Sequence, residues 1–275
     1  MNFKDFAQTY KPQINAALEK SLEEYEDDIF LMMKYSLLSP GKRIRPLLTL
    51  LSYQEFSKNK INQDIIDASI PVEYIHSYSL VHDDLPEMDG DELRRGQETS
   101  WKKFGPGNAV LVGDGLQTFA FKIIANLNVP DIYKVKLVYN LAQASGPENM
   151  IRGQQYDLFS TDKINNIDDL EFMFLMKTGA LMMYSATAGV VLAGGNQEQL
   201  RAMNVFGGNF GIAFQLRDDL DDATQTSDQP KNTSLKFKTS DGIENLIQEH
   251  KKIALDAITD LVSDVKPWND LLELI

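Results

Sequence analysis

Apolar residues recur at three- and four-residue spacing along most of the chain. The pattern is clear in residues 6–29, 47–56, 61–81, 109–127, 170–191 and 200–219, and it predicts a helix over each. Stretches of alternating polar and apolar residues, which would mark half-buried strands, are missing, as are Asn-Gly or Asp-Gly hairpin turns between β-rich runs. Turn signals fall at Ser39-Pro40-Gly41, Gly105-Pro106-Gly107, Gly146-Pro147 and Gly194-Gly195-Asn196. They cut the chain into roughly ten or more helices. The polar stretch 224–242 reads as a loop. No linker, short repeat or low-complexity tract divides the sequence, so the expectation is one all-α domain over residues 1–275.

Composition narrows the function classes. The apolar fraction of 43% is ordinary for a globular chain of 275 residues. The longest nearly uncharged apolar run, about 180–195, is too short and too rich in Gly, Ala and Ser for a membrane span, so stable membrane insertion is not expected. The sequence has no cysteine, which excludes disulfides and zinc–thiolate sites and agrees with a reducing compartment. The N-terminal residues carry no basic leader followed by an apolar stretch, and the expected location is cytoplasmic. A net charge of −13 argues against nucleic-acid binding.

Two acidic clusters dominate the candidate chemistry. The first is Asp83-Asp84-Leu85-Pro86-Glu87-Met88-Asp89, followed by Arg94-Arg95-Gly96; the second runs from Phe214-Gln215 through Asp218, Asp219, Asp221 and Asp222. Carboxylates packed this densely repel one another and are costly to desolvate. Hard divalent cations relieve both problems and commonly bridge to substrate phosphates. In the second cluster Asp218 and Asp222 lie about 40° apart on one helix face. The Gly-rich apolar run 206–214 before them is what a buried helix would have, whereas an acidic surface run seldom follows one so directly. In the first cluster Asp83 and Asp89 are six residues apart, on different faces of an ideal helix. Pro86 distorts or ends that helix. Glu87 fits plain helical spacing better than Asp89, and geometry alone leaves the choice open. Basic groups stand nearby at Lys42-Arg43-Ile44-Arg45-Pro46 and Arg94-Arg95, where guanidinium forks suit phosphate oxygens. His76 and Lys177 each interrupt an apolar helix. A histidine so placed is more often a satisfied core residue than a ligand, and a lysine there needs a partner.

Taken in order, 41-GKRIRP-46, the stretch 73–86, Arg94-Arg95-Gly96, Gly113-Asp114, Gly153-Gln154, Lys177-Thr178-Gly179 and the run 214–222 resemble the trans-isoprenyl diphosphate synthases of the bacterial farnesyl or geranylgeranyl type. The resemblance covers residues 41–222. It implies the isoprenoid synthase fold, a helical bundle around a central cavity, and head-to-tail condensation of an allylic diphosphate (dimethylallyl or geranyl) with isopentenyl diphosphate. By the same resemblance Asp83, Asp84 and Asp89 hold magnesium on the allylic diphosphate, which favours Asp89 over Glu87. Asp218, Asp219 and Asp222 hold a further ion, three Mg2+ being expected per site. Arg94 and Lys177 grip the allylic diphosphate; Lys42, Arg45, His76 and Arg95 hold isopentenyl diphosphate. Thr178 and Gln215 present oxygens to the allylic cation, Lys231 supplies charge from the loop, and Tyr78 with Ser79 sets chain length. A homodimer is also implied.

The sequence departs from that pattern in places. The Leu-Gly-Lys and Lys-x-Thr-Tyr-Pro segments are not readable and 223–242 is shortened. Trp101 replaces a usual histidine, and Arg152 a usual glycine. A bulky Tyr78 and the Leu85-Pro86 insertion resemble farnesyl diphosphate synthases. The alternatives are a geranylgeranyl diphosphate synthase, a weakly active or non-catalytic subunit of a heteromeric synthase, and a terpene cyclase, which would have no use for a second diphosphate grip.

Overall fold

The computed structural model describes residues 2–225 and 233–275; of Thr161, Ala223, Thr224 and Gln225 only the backbone is described. Fourteen α-helices are present among these residues: α1 (Phe3–Ser21), α2 (Asp28–Leu37), α3 (Ile44–Phe56), α4 (Gln63–Ser69), α5 (Pro71–Asp83), α6 (Ser100–Phe104), α7 (Pro106–Asn126), α8 (Asp131–Ser145), α9 (Met150–Phe159), α10 (Ile167–Phe174), α11 (Ala180–Leu192), α12 (Gln197–Gln225), α13 (Ser240–Ile258) and α14 (Lys266–Leu272). They form a single all-α domain, as the periodicity predicts. A π-helical turn, Leu175–Gly179, joins α10 to α11.

The bundle is built round α11. Almost every residue of α11 is buried, which is what a helix apolar on all sides requires. It packs against α3, α8 and α12. Close approach to α3 depends on Gly189, where a Cβ would collide with the Thr49 carbonyl oxygen. The stretch Ile167–Leu192 is long and apolar enough to cross a membrane, with mean hydropathy 1.3, but 78% of that window is buried inside the fold. It is a core element. The chain ends close onto the same core: Phe3 and Phe6 of α1 and Trp268 and Leu271 of α14 belong to its main hydrophobic cluster. A second cluster, including Leu170, Leu216, Ile243 and Ile247, seats α13 against α10 and α12.

The structure corrects several boundaries. The helix expected over 6–29 splits into α1 and α2, because the acidic stretch Glu23 to Asp28 interrupts the apolar pattern and the Tyr25 ring turns back to stack on Phe30 at 4.2 Å. The helix expected over 61–81 breaks at Ile70, with Pro71 starting α5 at the position where its missing N–H costs nothing. The stretch 224–242 is partly structured: a 3-10 turn at Ser234–Lys236 precedes α13, whose cap residue Thr239 accepts from the Gly242 N–H. Where no strand was expected there is a small antiparallel hairpin, Leu93–Arg94 with Gln97–Glu98. Its two-residue turn has Arg95 at φ 54° and Gly96 at φ 79°, the left-handed pair that suits a tight hairpin.

Two glycines fix the π-helical turn against α12. A Cβ at Gly211 would meet the Gly179 Cα at 2.5 Å. Gly211→Val should therefore cost about 2 kcal/mol or more of unfolding free energy by overpacking, measured by urea denaturation. An unchanged midpoint would show that the contact is loose.

Candidate active site

Both acidic clusters sit at helix C-termini. Asp83 ends α5 and Asp84 caps it; Asp218, Asp219 and Asp222 lie in the last turns of α12. This is the negative end of the helix dipole, where cations and not carboxylates are stabilised. Pro86 stops α5, and the chain folds back so that the Asp89 N–H donates to the Asp83 carbonyl at 2.9 Å and the Gly90 N–H to Leu85 at 3.0 Å. The fold-back is completed by Gly90 at φ 73°. It brings Asp89 beside Asp83 on the wall of a cavity of about 740 Å³ that Glu87 does not line. Of the two residues that helical spacing left open, the cavity wall takes Asp89.

Asp218 and Asp222 line the same cavity, as do Lys177 and Thr178 of the π-helical turn. Burial, reinforced by Asp89 and Asp84, pushes the Asp83 carboxyl up to about 7. Burial with Asp222 and Asp221 pushes Asp218 to about 7 as well. Burial also raises Asp89, with Asp157 and Asp91 adding to it. Burial pulls the Lys177 ammonium down, but Asp157, Asp83 and Asp89 together outweigh it and raise the group above its ordinary value.

Basic groups approach the cavity from α3, α5 and the hairpin. Arg45 lines it. Burial, aided by Arg95, holds the Arg45 guanidinium below its usual value despite Glu73 and Asp218, and its Nε has no hydrogen-bond partner. His76 lines both this cavity and an adjoining shallow pocket with Arg94 and Arg95. Burial first, then Arg45, Arg95, Arg94 and Arg43, push His76 well below its normal range, so the imidazole is neutral. Tyr78, Ser79 and Gln117 close another part of the wall. The Tyr78 hydroxyl reaches the Ser145 carbonyl at 3.4 Å.

Some expected residues are turned elsewhere. Asp84 is buried and held by Arg94 through Nε at 2.7 Å and Nη2 at 2.6 Å, so these two satisfy each other. Asp219 is buried too, and accepts from the Ser234 N–H at 2.8 Å, anchoring the segment before α13. Lys42 is exposed and lines a neighbouring cleft with Phe3 and Ile44, although it is near enough to lower Asp218. Arg95 donates to the Pro40 carbonyl at 2.7 Å. Lys231 lies outside the described residues. Arg43, in the same basic run, is structural: it pairs with Glu73 at 2.7 Å and caps the Leu37 and Ser39 carbonyls. Trp101, the residue in place of histidine, donates from Nε1 to the Asp91 carbonyl at 2.8 Å and staples the hairpin.

Sequence reading assigned no role to two residues, Asp157 and the Gln154 of the Gly153-Gln154 pair. Asp157 pairs with Lys177 at 2.6 Å; the long-range pairing was invisible, though a lysine in an apolar helix signalled that a partner existed. Gln154 lines the cavity with its amide buried and unpartnered. Among the described residues no group of three carboxylates or imidazoles closes round one point. The oxygens are divided between two walls, an arrangement suited to hard cations completed by a substrate's own oxygens.

The sequence profile of the polyprenyl synthetase family matches residues 26–239. The chain belongs to this family. It is 38% identical over 225 residues to the farnesyl diphosphate synthase of Geobacillus stearothermophilus, covering 80% of this chain and 75% of that one. Against the farnesyl diphosphate synthase of Escherichia coli it is 35% identical, covering 97% and 92%. The crystal structure of an FPP/GFPP synthase from Zymomonas mobilis superposes with a TM-score of 0.90 at 28% identity, over 99% of this chain and 98% of that one. Family members are magnesium-dependent, and this chain is a trans-prenyltransferase of the farnesyl diphosphate synthase type.

The raised carboxyls give a signed pH dependence. In the folded protein Asp83 and Asp218 hold protons up to about pH 7, whereas the unfolded chain releases them near the ordinary carboxylate value of about 4. The folded state then binds more protons across that window, so their contribution to stability is lost as pH rises from about 4 through 7. A divalent cation held by these carboxylates would have to displace the protons. The gain in melting temperature from Mg2+ with inorganic diphosphate should grow from pH 6 to pH 8, read by thermal melts; a gain independent of pH would contradict the assignment.

Proposed function

We propose that the chain condenses isopentenyl diphosphate with dimethylallyl or geranyl diphosphate to give farnesyl diphosphate, in the cytoplasm, with residues 1–275 acting as one synthase domain. The observation that carries this reading is a pair of acidic helix C-termini, Asp83–Asp89 and Asp218–Asp222, lining one cavity that Lys177 also lines beside Asp83 and Asp89.

The donor set fits magnesium: desolvated carboxylates on two walls, with room for diphosphate oxygens. Asp83, Asp89, Asp218 and Asp222 would hold the ions, and three are proposed per site. Bound magnesium would neutralise the leaving diphosphate. Asp84 and Asp219 join the ligands only by releasing Arg94 and Ser234; as placed, they position the first cluster and the returning segment. Lys177, held by Asp157, orients the allylic diphosphate. Arg45, neutral His76 and Arg95 receive isopentenyl diphosphate, with Lys42 at the margin.

The allylic C1–O bond breaks and its electron pair leaves with the diphosphate. The alkene of isopentenyl diphosphate attacks the resulting cation, and loss of a C2 proton to the released diphosphate restores neutrality. This chain therefore needs no side-chain base. Thr178 donates to the Gln215 oxygen at 3.0 Å, which fixes two neutral oxygens where positive charge develops. Met88, Met150, Ile151, Leu181 and Phe214 line the same cavity and exclude water that would capture the cation.

Tyr78 supports the farnesyl assignment. It is 6% exposed, its hydroxyl is tied to Gln117 and Ser145, and it lines the cavity beside Ser79. A ring so fixed limits the length of tail that fits. With Mg2+, geranyl diphosphate and labelled isopentenyl diphosphate, the wild type should release farnesol after dephosphorylation, and Tyr78→Ala should release longer alcohols. Geranylgeraniol from the wild type, or unchanged length in Tyr78→Ala, would remove Tyr78 as the floor. No product from folded protein would favour a partner-dependent subunit.

A homodimer is part of the proposal. Val110 and Leu111 of α7 and Ile132, Val135 and Tyr139 of α8 are exposed, the last three at 59%, 64% and 65%. Ile132, Val135 and Tyr139 recur at helical spacing on one face, and exposed apolar area of this kind marks an interface. Light scattering should give twice the 31.0 kDa chain mass, and Tyr139→Glu with Val135→Glu should shift it toward the monomer. A monomeric wild type would contradict the proposal.

A further inference from the structure

Gln154 stands on α9 one residue beyond Gly153, where the helix lies against the π-helical turn: a Cβ at 153 would collide with the Lys177 backbone nitrogen. That contact puts Gln154 next to the Lys177-Thr178 pair, and its side chain lines the cavity with Thr178, Gln215 and Tyr78. Both heavy atoms of its amide are buried and neither has a hydrogen-bond partner. The polar groups nearest it in the sequence motifs are engaged. Lys177 pairs with Asp157, Thr178 with Gln215, and Ser79 with the His76 carbonyl. On α9 Met150, Ile151 and Phe159 share the cavity wall and offer no side-chain partner, and Gln155, which also lines it, donates to Ser160 Oγ at 2.8 Å. A carboxamide carries two donors and an acceptor with two lone pairs. Leaving all of them unmet in the interior lowers the stability of the free protein, and a buried group of this kind calls for a partner from outside the chain.

We propose that the partner is the allylic substrate, and that Gln154 supplies a third neutral oxygen beside those of Thr178 and Gln215. This rests on the prenyl-transfer reading. As the C1–O bond breaks, the electron pair departs with the diphosphate and positive charge spreads over the allylic carbons. The Gln154 carbonyl dipole, turned to that charge, stabilises it. It neither gains nor loses a proton, and a neutral amide oxygen does not capture the cation as water would. The Thr178 hydroxyl already donates to Gln215 Oε1, so part of that oxygen's capacity is spent; the Gln154 oxygen has all of its own. Gly153 serves this placement, because any side chain there would lever α9 away from Lys177.

Gln154→Met tests the assignment, since it keeps length and approximate volume and removes every hydrogen-bonding atom. Loss of one preorganised dipole should lower kcat about 10- to 100-fold with KM for isopentenyl diphosphate nearly unchanged. Removal of the unmet amide should raise the melting temperature of the free protein by roughly 2–5 °C. Wild-type kcat in the variant would overturn the inference. So would a kcat loss accompanied by a lower melting temperature, which would make Gln154 a packing residue. Failure of the wild type to consume allylic diphosphate at all is a separate result, seen before any variant is compared, and it would defeat the prenyl-transfer reading and this inference together.

Discussion

Repulsion between desolvated carboxylates governs this molecule. Asp83 and Asp218 are both raised to about 7, each chiefly by burial and then by other aspartates. Each stands near the negative end of its own helix, α5 or α12, which adds to the cost. A fold that accumulates such terms without cations loses stability by them, and they become an asset only when positive charge arrives. Lys177 supplies one such charge from within the chain, held by Asp157; on the proposed reading, magnesium ions supply the remainder. On the proposed reading, the acidic clusters of a chain of net charge −13 bind diphosphate through the cations they collect.

The scaffold exists to hold these walls in register. α11 is buried almost throughout and fixes α3 and α12 on either side of itself. The π-helical turn at Leu175–Gly179 is a local departure from regular helix of the kind that recurs at functional sites. It is packed by glycines on both sides: Gly153 of α9 against Lys177, and Gly211 of α12 against Gly179. Those contacts set where Lys177 and Thr178 lie relative to the two acidic helices. Gly113 does the same for α7, leaving room for the His82 ring of α5, which a Cβ would overlap.

Much of this was legible in the sequence where one local rule decides the outcome. Helical periodicity gave the fold class, and the presence of Pro86 implied that the first cluster could not be read as plain helix. What periodicity could not give was the direction of the chain after Pro86, since the return of Asp89 to Asp83 depends on Gly90 and on backbone hydrogen bonds. The hairpin at Leu93–Glu98 escaped because its strands are two residues long and its turn places Arg95 in a left-handed conformation that glycine or asparagine would have advertised. Among the site residues, the sequence did not show the partners that Asp84 and Asp219 have within the chain. Each follows a cavity-lining aspartate, yet one step along a helix rotates the side chain by about 100°, toward Arg94 in one case and Ser234 in the other. Gln154, quoted in its motif, received no role and Asp157 was passed over, because their significance lies in what they face across the fold.

Whether the two acidic walls act as one site is tested most directly by a double-mutant cycle of Asp83→Asn and Asp218→Asn, with affinity for inorganic diphosphate in Mg2+ measured by calorimetry. If both walls grip the same metal–diphosphate cluster, each single change weakens binding severely and the double change costs much less than their sum, with a coupling above about 1 kcal/mol. Additive losses within about 0.3–0.5 kcal/mol would mean that the walls bind independently, and a clamp shared between Asp83 and Asp218 would be contradicted.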